Sequence, residues 1–145
     1  MAGSLTNWGE NAVLDTVFGQ STEFSTGLHT NYWWGLTTGT PTDTGNSTNQ
    51  GECAGSTYKR KSQANSSASW ANSTGGIKLL KASVTITTAA GSDWGTIRGI
   101  TLNSVGTSAK AGGHVIVWST ITGGAKVVNV GDSIVVSTGF SVTLT

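Results

Sequence analysis

The stretch Ala82–Leu102 constrains this chain more than any other. Val84 and Ile86 alternate with Thr85 and Thr87, the run breaks at Ala89-Ala90-Gly91-Ser92-Asp93, and Trp94-Gly95-Thr96 restarts it towards Ile97, Ile100 and Leu102. Alternating apolar and Thr positions bounded by Gly, Ser and Asp predict two half-buried strands joined by a turn. A helix would need the apolar residues to recur every three to four positions. The stretch therefore predicts a hairpin at the centre of a β-sandwich.

Further strands follow from the same reasoning. Tyr32–Thr38, Thr57–Gln63, Ile77–Thr88, His114–Ile121, Lys126–Val130, Ile134–Val136 and Phe140–Leu144 are short apolar or alternating runs separated by Gly-rich turns. Asp43, Asp93 and Asp132 sit beside glycines, where Asp bonds its own backbone in a turn. One helix is predicted, over residues 7–18, with Asn7 as N-cap, Glu10 closing a capping box and Gly19 as the stop. At about three turns it is too short to stand alone and must dock. The expectation is an all-β fold, an antiparallel β-sandwich or barrel-like single domain with a short N-terminal helix. Residues 1–19 form a docking arm, and residues 20–145 the sandwich. Gly39–Ser56 reads as a long irregular loop of the kind that serves function or a partner.

Composition removes several function classes. Only 10% of residues are charged and the net charge is +1, so no charge argument points to nucleic acid or an anionic membrane. No run is long enough for a membrane-spanning helix, and Met1–Thr6 lacks the charged and apolar regions of a secretory signal. Synthesis and folding in a cytoplasm, without secretion, are expected. The single cysteine, Cys53, allows neither an intrachain disulfide nor a Cys-based zinc site, and is expected as a free thiol. His29 and His114 have no carboxylate at ligand spacing, so no metal and no cofactor are expected. The acids form no pair suited to glycoside hydrolysis, and neither a phosphate loop nor a nucleophile elbow is present. The chain is not expected to be an enzyme.

The six tryptophans are the residual signal. Trp118 and Trp94 are assigned to the core. Trp8, Trp33, Trp34 and Trp70 lie beside loops or the terminus, where indoles also serve as interface anchors. With Leu14 and Phe18 of the helix, and Lys59 and Arg60 of the basic run Tyr58-Lys59-Arg60-Lys61, they are the candidate partner interface. The competing reading of that run is a solvated edge strand.

The order of these motifs resembles a widespread family of small tailed-phage virion proteins, often labelled tail fibre or head decoration protein. The resemblance rests on Asn7–Gly19, on Tyr32–Leu36 followed by Pro41-Thr42-Asp43-Thr44-Gly45, and on Gly55–Arg60. Ser92-Asp93-Trp94-Gly95-Thr96-Ile97 and Lys126-Val127-Val128-Asn129-Val130-Gly131-Asp132 complete it. Arg98-Gly99-Ile100 and Ala111–His114 depart from the family pattern. The resemblance implies an all-β virion protein that assembles with itself, expected as a homotrimer. The function expected from it is capsid cement, bridging the major capsid protein at the head surface. The alternative is a tail-fibre or baseplate module that binds a host surface glycan.

Overall fold

The computed structural model describes residues 2–9, 29–44, 50–66, 68–71, 77–86, 89–106 and 113–143. The chain is an all-β single domain. Its strands are β1 (Ala2–Leu5), β2 (Asn31–Thr37), β3 (Lys61–Ala64), β4 (Ile77–Leu79), β5 (Val84–Ile86) and β6 (Gly95–Ile97). They continue with β7 (Gly99–Asn103), β8 (Val115–Thr120), β9 (Lys126–Val128), β10 (Ile134–Val136) and β11 (Ser141–Thr143). Seven strands form one sheet in the order β3-β2-β7-β8-β1-β11-β4, while β10-β5 and β6-β9 form two-stranded ribbons.

The hairpin expected within Ala82–Leu102 does not form. β5 pairs with β10, β6 with β9, and β7 with β2 and β8. The whole stretch is instead one arm of a much longer antiparallel ribbon, whose other arm is residues 113–136. Val84 faces Val136, Gly95 faces Val128, and Gly99 faces Thr120. Between the named strands the ladder is carried by Ala89 N–H to Asp132 O at 2.9 Å, Trp94 N–H to Val128 O at 2.9 Å and Ile121 N–H to Arg98 O at 3.1 Å. Asp93 ties the arms together, its carboxylate accepting Val130 N–H at 2.8 Å, while Asp132 closes a turn within the second arm by accepting Asn129 N–H at 3.0 Å. Alternation along the sequence had located the strands, but it carries no information about which strand is the partner.

The ribbon's end nearest its tip, β7–β8, lies in the middle of the large sheet. The rest packs its inward residues Val84, Ile86, Ile97, Val128 and Val136 into one core with Trp34, Leu36, Ile100, Leu102 and Val117. Trp34, fully buried, is the hub. It meets Phe140 edge-on at 5.1 Å and Trp70 nearly face-on at 6.2 Å, and its Nε1–H donates to Gln63 Oε1 at 3.1 Å. Burying an aromatic of this size against others contributes through both area and ring geometry.

The first strand was not expected at all. β1 runs antiparallel to β8 through Ser4↔Trp118 and Leu5↔Val117, and parallel to β11 through Ala2↔Ser141 and Gly3↔Val142. It is the strand that joins the two halves of the large sheet. The chain's opening residues are thus part of the sheet rather than of a separate arm. Residues 7–9 are helical, and the cap is Thr6 rather than Asn7: Thr6 Oγ1 accepts Gly9 N–H at 3.1 Å and donates to Val115 O at 2.6 Å. The remainder of the predicted helix, with Glu10, Leu14 and Phe18, lies outside the described residues. A bulge in β8 leaves Ile116 without a partner on β7, and its carbonyl accepts Thr6 N–H at 3.2 Å.

Candidate functional site

The eight residues expected at a partner interface separate into three groups. Leu14 and Phe18 lie outside the described residues. Trp34, Trp70 and Arg60 are interior, with relative exposures of 0%, 5% and 5%, and so offer no face to a partner. Trp8 and Trp33 are half-buried and Lys59 is exposed. Trp34 and Trp70 are drawn inward by each other: Trp70 N–H bonds Ser66 O, a bridge ties Trp70 to Leu80, and the ring stacks beneath Trp34.

Arg60 corrects the reading of the basic run. Lys59 and Lys61 point to solvent on either side of it, and Arg60 turns inward to Glu52. Arg60 Nε and Nη2 each donate to a Glu52 oxygen at 2.7 Å, and Nη1 donates to Val105 O at 2.6 Å. The two side chains are 1% and 3% exposed. This planar, two-pronged geometry is the arrangement that lets a buried ion pair offset its desolvation. Tyr58 completes the network. Its hydroxyl donates to Glu52 Oε1 at 3.0 Å and accepts Leu36 N–H at 2.8 Å. That amide lies on the edge of β2 beyond the end of β3, so a side chain takes the place of a missing strand. Cys53 N–H bonds Leu36 O at 2.9 Å alongside it. Residues 50–60 are therefore fastened to the sheet edge by specific polar bonds. Residues 50–56 of the predicted loop are thus a strap along the sheet edge.

Burial, and then the Glu52 charge, push the Tyr58 hydroxyl far above its ordinary value of 10.0. Because the folded value lies above the unfolded one, the associated stability is fully present below about pH 10 and is lost as pH rises further. Urea midpoints should hold steady to about pH 9.5 and then fall, with each such tyrosine adding at most about 1.4 kcal/mol per pH unit. Tyr58→Phe should flatten that alkaline slope while costing about 1–3 kcal/mol at neutral pH, since the Leu36 amide loses its acceptor. An unchanged slope in the variant would show that Tyr58 does not carry it. Burial likewise pushes the Cys53 thiol up, with Glu52 adding to the effect; Cys53 is free and fully buried.

The outer surface carries a different set of residues from those expected. Trp8 stacks on His114 with ring centroids 4.1 Å apart and planes parallel within 1°. Trp33 lies flat on Gly106, where a Cβ would fall on its ring. Trp118, expected in the core, is half-buried and donates through Nε1 to Asp43 Oδ1 at 2.9 Å. Val127, Val130 and Val135 are exposed on the ribbon at 62%, 56% and 51%. These valines were missed, although the signal was present. Val127-Val128 and Val135-Val136 are doublets on strands, so one valine of each pair faces outward. A surface cleft of about 300 Å³ runs beside Val135, between Thr122 and Phe140. Among the described residues no three His, Cys, Asp or Glu side chains come together as a metal site would require.

The chain thus presents a seven-stranded sheet with half-buried indoles and a valine-bearing ribbon. No curated protein matches it. The family model described as podophage GP4 fiber I protein gp80 matches residues 4–145. That span includes every strand from β2 to β11 and the end of β1, so the chain belongs to this family of phage structural, virion proteins.

Proposed function

We propose that the protein is a non-enzymatic structural subunit of a phage tail fibre, assembled as a homo-oligomer. The observation that carries this reading is the match of nearly the whole chain to a family described as a fibre protein. The outward valines and half-buried indoles supply surface of the kind that subunit contacts use. Cement at the capsid surface, bridging the major capsid protein, is the competing placement, and it draws on the same surface without a fibre description behind it. Contact with a host surface glycan is the activity that a tail location would serve.

Location on the particle separates the two. Immunogold labelling of intact virions with antibody to the purified protein should mark the tail appendages. Label spread evenly over the head would overturn the fibre reading in favour of cement.

A further inference from the structure

β1 fills a slot with two open sides. Removing it would leave the inner edge of β8 and the inner edge of β11 without partners, each a row of backbone groups awaiting a strand. The slot is built for this segment. Leu5 enters the core, Thr6 bonds Val115 O and Ile116 O, Asn7 N–H reaches Asp43 O at 3.4 Å, and Trp8 covers His114.

The chain joining it to the next strand is far longer than the crossing requires. Through the pairings Leu5↔Val117↔Leu102↔Trp34, the end of β1 and the start of β2 lie at the same end of the sheet. Only β8 and β7 stand between them, a lateral gap of three strand spacings or about 14 Å. Residues 10–28 span roughly 60 Å when extended. The same slot on a neighbouring copy is therefore within reach.

We propose that residues 2–9 are exchanged between copies of this chain, each copy's first strand filling the β8–β11 slot of another. The bonds are those already described, made between chains, so exchange adds an interface at little local cost. The proposal rests on the homo-oligomeric part of the function proposed above. An oligomer whose arms prove to stay within their own chains would retain that part and lose the exchange.

Ala2 and Ser141 are register partners, and the native thiol Cys53 is fully buried. A double variant, Ala2→Cys with Ser141→Cys, is refolded from an equal mixture of ¹⁴N and ¹⁵N chains. It is then treated with a short bis-maleimide, run on a denaturing gel and read by mass spectrometry. Exchange predicts species at multiples of the 14.8 kDa chain mass and linked peptides of mixed isotope, the highest species counting the copies. Links only within single chains, with all protein at the chain mass, would overturn it. So would the absence of any link between the two positions, because the proposal depends on that register.

Discussion

Arg60→Met should unfold at a free energy lower by about 3–5 kcal/mol, read from urea denaturation at pH 7. The substitution keeps an unbranched apolar stem and removes three donors at once. Glu52 is left as a carboxylate with a side chain 3% exposed and only the Tyr58 hydroxyl to bond it, and Val105 O loses its partner. The loss is a large share of the 5–15 kcal/mol that a domain of this size holds. The double variant Glu52→Leu with Arg60→Met should recover part of it, because an apolar pair leaves no charge unmatched. A double-mutant cycle reads the coupling. A loss in the double variant equal to the sum of the two single losses would show that the pair acts as independent side chains.

Deletion of residues 1–5 should have an effect at least as large. The variant should lose about 3 kcal/mol or more, or fail to fold, with thermal unfolding and circular dichroism as the readouts. Leu5 alone contributes the loss of a buried leucine, about 2–5 kcal/mol. The missing strand also separates β8 from β11 and cuts the seven-stranded sheet in two. Supplying a synthetic peptide of residues 1–9 should restore part of the stability. A truncated chain with an unchanged melting temperature would show that β8 and β11 do not need β1 between them.

These two sites also show what could be read in the sequence and what could not. Strand positions were legible where apolar and polar residues alternate, as at Val84–Ile86, or where aromatic and apolar residues run together, as at Tyr32–Thr38. Pairing was not, because a strand's own pattern fixes its faces and leaves its neighbours open. β1 escaped notice because Ala2, Gly3 and Ser4 are small and carry no alternation; its place depends on edges offered by residues more than a hundred positions away. Arg60 stood between two lysines that face solvent, and its partner Glu52 lay in a stretch that reads as loop. Strand alternation placed Arg60 opposite the lysines, but sequence alone did not show that a carboxylate waited on that side. Trp34 and Trp118 were misplaced for a related reason. An indole suits a core and an interface equally well, and the fold decides which. Of the turn aspartates only Asp132 bonds its local backbone as expected, accepting Asn129 N–H; Asp93 and Asp43 reach distant partners, Val130 N–H and the Trp118 indole, which no local pattern announces.

The position of β1 also sets an order of events. Its partners on β11 are Ser141 and Val142, more than a hundred positions away. The long ribbon between residues 84 and 136 needs far shorter closures, and short closures form first because they cost less chain entropy. During synthesis β1 leaves the ribosome well before β11 and waits for it. Through that interval its backbone edge is unsatisfied while neighbouring nascent chains pass through the same stage. Under the proposed exchange, closure of the sheet is then a competition between a chain's own β1 and its neighbour's, and the local concentration of chains on a polysome would set the outcome.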